Sequence, residues 1–316
     1  MAQISIIIPV YNGERYLEEC LQSVADQTFG DFEVLVVNDG STDGSKEIAR
    51  RFAEKDPRFQ LIDIKNSGVS KARNTGIDKA TGRYLTFVDC DDCLHPTALE
   101  RMASLLEKED ASVCVCTYST GLEFSIGEIA RKTPERYSYK SAMKRALYQS
   151  RIMNSAWGVL FERDLLRPNI RFREGIRYED LDAFYRFYEK AKKIIFIDEP
   201  LYFYRNNEKS FIHTWSVERL DVLDVTDRIV EYVRERYPSL LKAANDRRFS
   251  AHYNILLLML SNNITDRVAL ARCLKVIKQN RMKILLDPHV RLKNKIGALV
   301  SYGGLKSIRF FVTGNE

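Results

Sequence analysis

Cysteine is scarce in this chain, six in 316 residues. Cys90-x-x-Cys93 and Cys114-x-Cys116 lack a second metal-spaced pair, so reduced thiols are expected and a zinc ion on Cys90, Cys93 and His95 is the weaker alternative. Also missing are a basic-then-apolar opening segment and any apolar run long enough to cross a bilayer, Ile255 to Leu260 being far too short. A cytoplasmic location is the expectation. Two phosphate-binding motifs are absent as well. A dinucleotide fold needs Gly-x-Gly-x-x-Gly after its first strand, where this chain has Tyr11-Asn12-Gly13-Glu14, and no Gly-x-x-x-x-Gly-Lys-Ser/Thr occurs for a P-loop. If phosphates are bound, their charge must be met by a metal ion and by side chains.

What is present suffices for a full core: 45% of the residues are hydrophobic, and the length suits one large domain with an additional lobe. The formal charge of +6 is uneven, because residues 281–316 carry seven Lys or Arg against two acids. Such a tail is suited to an anionic surface, phospholipid or nucleic acid, unless its cations only solvate helix faces. In the first hundred residues strand and helix patterns alternate. Ile4 to Val10, Phe32 to Val37, Phe59 to Ile64 and Tyr84 to Val88 read as strands, most of them covered on both faces, and Leu17, Cys20, Leu21 and Val24 fall at helical spacing between the first two. Right-handed crossovers then give a largely parallel open α/β sheet. A helix over Thr97 to Glu107 and a strand over Ser112 to Thr117 extend it. Thr120 to Ser150 reads as a basic insertion, Ile194 to Ile197 and Leu201 to Tyr204 as two strands joined by a tight Asp-Glu-Pro connection, and the pattern turns helical from Val217.

Three carboxylates, Asp89, Asp91 and Asp92, stand where the fourth apolar run ends. An extended chain would put Asp89 and Asp91 on one side and Cys90 on the other, and acids this close repel unless protonated, solvated or bridged by a cation. Mg²⁺ or Mn²⁺ suits such a site, since hard cations take one or two protein carboxylates and fill their remaining positions with water and phosphate oxygens. Ligands of open α/β sheets bind beyond the carboxyl ends of the strands. There Tyr11 offers a ring face to a base, Glu14 an acceptor for a ribose or a nearby amide, and Asp39 an acceptor for a ring N–H such as that of uracil.

Several segments, together and in order, resemble the nucleotide-sugar-binding half of the family 2 glycosyltransferases. They are Ser5-Ile-Ile-Ile-Pro-Val-Tyr-Asn-Gly13, Val36-Val-Asn-Asp-Gly-Ser-Thr-Asp43, Asn66-Ser-Gly-Val-Ser-Lys-Ala-Arg-Asn-Thr-Gly76 and Gly82-Arg-Tyr-Leu-Thr-Phe-Val-Asp-Cys-Asp-Asp92. The resemblance implies an inverting enzyme of the GT-A fold, α/β with a Rossmann-like, mostly parallel open sheet and a helical C-terminal region. Residues 1–215 would form the GT-A domain, 1–117 its nucleotide-sugar-binding half and 118–215 its acceptor and catalytic half. Residues 216–316 would be the helical region with the basic tail.

By the same resemblance Pro9, Tyr11 and Asp39 hold the base, Arg73 approaches the base or the diphosphate, and Asp89 and Asp91 manage ribose and metal, with Cys90 a small departure between them. Glu14 completes the donor-binding set. Phe172-Arg-Glu-Gly-Ile-Arg-Tyr-Glu-Asp-Leu-Asp182 resembles the family's Glu-Asp motif, with Asp180 as the base and Glu179 orienting it. A single inverting displacement requires such a carboxylate to take the acceptor's proton. Arg205 resembles a basic residue in a loop closing over the diphosphate, joined by Lys209, Ser210 and His213. Trp157 resembles an acceptor-side aromatic, and His213 is the second acceptor candidate. The expected activity is transfer of a sugar from a nucleoside-diphosphate sugar, a UDP-sugar first, to a saccharide or lipid-linked oligosaccharide in surface polysaccharide synthesis. A peripheral membrane contact through Leu299, Tyr302, Phe310 and Phe311 is expected and a nucleic-acid partner is not. A metal-dependent sugar nucleotidyltransferase and a non-catalytic nucleotide- or sugar-binding protein are the competing classes.

Overall fold

The first strand, β1 (Ile4–Val10), is buried along its whole length, as a β-branched run covered by helices on both faces must be. The computed structural model describes residues 2–166, 170–206 and 215–313. These fall into two compact units, one of residues 1–139, 154–175 and 179–208, the other of residues 140–153, 176–178 and 209–316. The second unit therefore takes in residues 140–153, which the sequence reading places in the acceptor half.

In the first unit, β1 is followed by α1 (Glu14–Ala25), β2 (Phe32–Asp39), α2 (Ser45–Lys55), β3 (Phe59–Ile64), α3 (Val69–Lys79) and β4 (Tyr84–Phe87). Leu17, Cys20, Leu21 and Val24 are buried on α1, as their spacing requires. β1 pairs in parallel with β2 and β4, and β2 with β3. The helix α3 lies close on the sheet because Gly76 has no side chain: a Cβ there would stand 2.4 Å from Ile7 Cγ2. Next come β5 (Cys93–Leu94), α4 (Ala98–Glu109), β6 (Val113–Gly121), β7 (Glu135–Tyr137), β8 (Val159–Glu162), α6 (Glu179–Tyr188) and β9 (Ile194–Arg205), with α5 (Tyr139–Leu147) in between. The sheet order is β3-β2-β1-β4-β8-β6-β9-β5, with β7 also on β9. This is an open sheet whose strands β1 to β4 are all parallel.

Two strands separated by Asp-Glu-Pro are the sequence expectation for residues 194–204, and the structure corrects it to one, β9. The polar interruption is absorbed by a register shift on β6 around Thr117, which lies opposite Pro200. Proline is accommodated at such irregularities because no ladder N–H is needed there. Glu199 is buried beside it and satisfied by Arg101 at 2.8 Å and the Lys132 amide at 2.8 Å.

The second unit contains most of α5 together with α7 (Asp221–Arg236), α8 (Leu241–Ser261), α9 (Arg267–Leu286), α10 (Leu292–Val300) and α11 (Gly304–Thr313). Asp266 caps α9 by accepting from the Val268 and Ala269 amides. Arg272 is held by Asp227 at 2.8 Å, and Asn294 by Asp246 at 2.8 Å. On the last two helices Ala298 and Ile308 face inward while Leu299, Phe310 and Phe311, with Tyr302 in the turn between the helices, are exposed. Among the described residues no helix is long and apolar enough to cross a membrane.

Candidate functional site

Because β1 to β4 run parallel, their carboxyl ends share one edge, and the loops leaving β1 and β2 are laced together there. Asn12, at φ 50°, accepts the Thr42 amide at 2.9 Å and donates its own N–H to Ser41 Oγ at 3.1 Å. The Gly13 amide donates to Ser45 Oγ at 2.9 Å, and Asp43 receives the Glu14 amide at 3.1 Å. Glu14 accepts the Gly44 amide at 2.9 Å, so of its two expected partners the structure supplies the amide. Pro9 is buried in β1, and Tyr11 stands 53% exposed just beyond it. Asp39 is buried, and its two oxygens receive the Ser67 and Gly68 amides at 2.8 Å each. Gly68 is at φ 90°, a conformation an L side chain resists. Two of the roughly four lone-pair positions of that carboxylate are thereby used.

The acidic segment is a turn, which corrects the expectation of a continuing strand. β4 ends at Phe87, and the Asp92 amide donates to the Asp89 carbonyl at 3.0 Å. Strand alternation therefore does not set the directions of Asp89 and Asp91. Asp92 is turned inward and buried, accepting from the Tyr202 hydroxyl at 2.6 Å and the Arg205 amide at 2.8 Å. Burial first, then the nearby Asp89 and Asp91, push its carboxyl up to about 8. The same Tyr202 oxygen accepts the Asp89 amide at 3.2 Å. Cys90 packs beneath Gly13, where an added Cβ would stand 2.8 Å from its Sγ, and burial raises its thiol. Its part in the site is to fill space under the β1–α1 turn.

Arg73 is the centre of the arrangement. Its side chain is buried, donating to Asp89 Oδ1 at 2.8 Å and to Glu179 Oε1 at 2.6 Å. The guanidinium lies 5.3 Å from the Phe172 ring centroid. It therefore ties the acidic turn to the first turn of α6. Adjacent to Glu179, Asp180 accepts the Leu181 amide at 2.6 Å. Burial and then Glu179 raise its carboxyl to about 7, while Arg73 opposes them. Asp182, fully buried, is bound by Arg186 at 3.0 Å and by Arg173, from outside the helix, at 3.5 Å.

Arg205 is corrected from a loop residue to the last residue of β9. Its guanidinium donates to the Asp91 carbonyl at 2.7 Å and the Leu122 carbonyl at 2.7 Å, pairs with Glu19, and sits 4.7 Å from the Tyr16 ring centroid. It braces the acidic turn from behind. Trp157 bridges to Phe87 and stacks on Tyr202 at 4.6 Å, with Tyr204 at 5.4 Å. His213, Lys209 and Ser210 lie outside the described residues. Sequence reasoning missed Tyr202 and Glu19. The strand pattern of β9 gives Tyr202 only as a core position, and Glu19 resembles any exposed helical acid.

Among the described residues no three His, Cys, Asp or Glu side chains gather as a self-sufficient metal cage. The donor set does fit a hard cation shared with a ligand. Asp89 and Asp91 are oxygen donors, both retain solvent access, and Asp89 Oδ2 receives no hydrogen bond from the described residues. One or two carboxylates are what such a cation takes when phosphate oxygens supply the rest.

Residues 5–168 match the model of Glycosyl transferase family 2. Glycosyltransferase GlyG of Streptococcus pneumoniae is 30% identical over 76% of this chain and 86% of its own length. Glycosyltransferase GlyA of the same organism is 34% identical over 75% of this chain, which spans only 35% of that relative. The structure of S. aureus TarS residues 1–349 with UDP-GlcNAc superposes with a TM-score of 0.68 at 23% identity, covering 98% of this chain and 88% of that one.

Proposed function

The chain belongs to glycosyl transferase family 2, and from that premise we propose that it is an inverting transferase drawing on a nucleoside-diphosphate sugar, a UDP-sugar first. The acceptor is a saccharide or lipid-linked oligosaccharide of surface polysaccharide synthesis. One observation carries the reading: Arg73 joins the acidic turn at Asp89 to Glu179, next to a carboxyl, Asp180, that is raised to about 7. A binding protein or a nucleotidyltransferase has no need of that second carboxyl.

In this reading Tyr11 and the remaining lone pairs of Asp39 receive the base, and Asp89 and Asp91 would hold Mn²⁺ or Mg²⁺. When bound, the cation supplies charge neutralisation for the departing diphosphate. Asp180 takes the acceptor hydroxyl's proton as that oxygen attacks the anomeric carbon and the bond to the diphosphate oxygen breaks on the opposite face. Glu179, fixed by Arg73, keeps the helix start and its neighbouring base in register. Arg205 acts indirectly, by fixing the Asp91 carbonyl, and Trp157 lies on the acceptor side. The exposed apolar and basic faces of α10 and α11 make peripheral contact with anionic lipid.

The test is a panel of nucleotide sugars incubated with the protein and Mn²⁺ without acceptor, following release of nucleoside diphosphate. Release from one donor above the others is expected. No release and no Mn²⁺-enhanced binding of any nucleotide sugar would overturn the reading.

A further inference from the structure

The helical unit holds a cleft of about 870 Å³ whose polar groups none of the preceding chemistry uses. Its wall carries Lys144, Lys242 and Lys283, and among the described residues none of the three forms an ion pair with a carboxylate. The cleft's acid, Asp287, is already engaged: the buried Tyr148 hydroxyl donates to Oδ2 at 2.5 Å, and His289 presents its amide at 3.0 Å and Nδ1 at 3.2 Å to Oδ1. Burial alone would raise Asp287, but these donors outweigh it and hold the carboxyl below its usual range.

Lys144 Nζ faces His289 Nε2 at 3.2 Å. An ammonium has only hydrogens to offer, so Nε2 is the acceptor and Nδ1 carries the hydrogen directed at Asp287. The His289 ring is also stacked on Tyr148 at 5.5 Å. Tyr148, Asp287 and His289 thus aim one lysine, and the three ammonium groups leave the cleft with positive charge that its acid does not cancel. Lysines act as point charges suited to phosphate. Leu241, Ile284 and Pro288 give the same cleft apolar surface, and its volume is that of a small-ligand site.

We propose that this cleft binds a phosphate ester, with Lys144, Lys242 and Lys283 meeting the phosphate and the apolar wall meeting the group that carries it. The site is separate from sugar transfer and is read without donor. The ester belongs either to a soluble sugar phosphate or to a phospholipid headgroup.

Titration of the full chain with glucose 6-phosphate, followed through the ring resonances of His289, tests it, the resonances being assigned by comparison with His289→Gln. Co-sedimentation with phosphatidylglycerol vesicles, carried out in the Phe310→Ser/Phe311→Ser background so that the lipid contact of α11 does not carry the signal, forms the second arm. Saturable shifts with glucose 6-phosphate point to the soluble source, and vesicle binding that Lys242→Glu/Lys283→Glu reduces points to the headgroup. In either case the double variant weakens binding by about tenfold or more, while Lys275→Glu, on α9 outside the cleft, leaves it unchanged. Equal shifts with glucuronate would overturn the phosphate assignment. Binding that survives the double variant, or absence of binding in both arms at low salt, would overturn the site.

Discussion

Arg73 and Glu179, 106 positions apart in sequence, meet at 2.6 Å through a guanidinium that also holds Asp89. One cation thus fixes the distance between the acidic turn and the start of α6. Arg73→Met leaves Asp89 and Glu179 facing each other without it. Because Asp89 keeps some solvent, the loss is expected toward the lower end for a broken buried pair, about 3 kcal/mol. The denaturant midpoint should fall accordingly. Arg73→Lys should recover only part, since an ammonium cannot span both carboxylates as the fork does.

Asp180→Asn should leave donor binding within about twofold and lower transfer by about 10²- to 10⁴-fold, the range of general-base contributions. With its carboxyl raised to about 7, the wild-type group is protonated and inactive as a base below that pH and competent above it. The rate kcat/KM should therefore climb through about pH 7, and the climb should vanish in the residual activity of the variant. A normal transfer rate in Asp180→Asn would show that another group removes the proton.

Asp91→Asn tests the cation. Calorimetry should show Mn²⁺-enhanced uptake of the nucleotide sugar by the wild-type chain and lose that enhancement in the variant, while metal-independent binding persists. An undiminished Mn²⁺ effect would place the metal elsewhere.

Asp92 makes the stability of the metal-free protein depend on pH. Its folded-state carboxyl, near 8, lies above an unfolded value of about 3.9, so the folded state retains a proton that the unfolded chain releases. The stability from this group is complete below the unfolded value and is lost as pH rises to about 8. Asp92→Asn should flatten the decline in melting temperature over that window. Tyr202→Phe, by removing a donor that lowers the Asp92 carboxyl, should extend the decline to higher pH and cost about 1–3 kcal/mol for the buried acceptor left short of a donor.

Phe310 and Phe311, 63% and 58% exposed, near Lys306, make the lipid contact testable by substitution alone. Vesicles containing anionic lipid should sediment the wild-type chain and recover less of Phe310→Ser/Phe311→Ser. Equal recovery at low salt would dismiss the contact.

The first four strands of the fold were readable because their signals are local. Covered strands give unbroken β-branched runs, and Leu17, Cys20, Leu21 and Val24 repeat at helical spacing, so β1 to β4 and α1 followed with shifts of a few residues. Local signals fail where a tertiary partner overrides them. Glu199 and Pro200 look like a break until Arg101 neutralises the acid, and nothing in the sequence around Arg73 shows that Asp89 and Glu179 converge on it. The directions of Asp89, Asp91 and Asp92 were equally hidden, because Tyr202 and Arg205 fix them from β9. Motif spacing brought the site's residues together on paper, but which of them face a ligand and which brace the others depended on contacts more than a hundred positions apart.

The bulge in β9 at residues 198–201 has a consequence some distance away. It sets the phase in which the last five residues of β9 alternate between the sheet's faces, and that phase is what brings the Tyr202 hydroxyl and the Arg205 amide onto Asp92. Removing one residue at the irregularity would turn each following side chain to the opposite face. The acidic turn would lose its supports though no residue of the turn itself had changed, so the length of an unremarkable strand acts as a timing element for the edge that carries the turn.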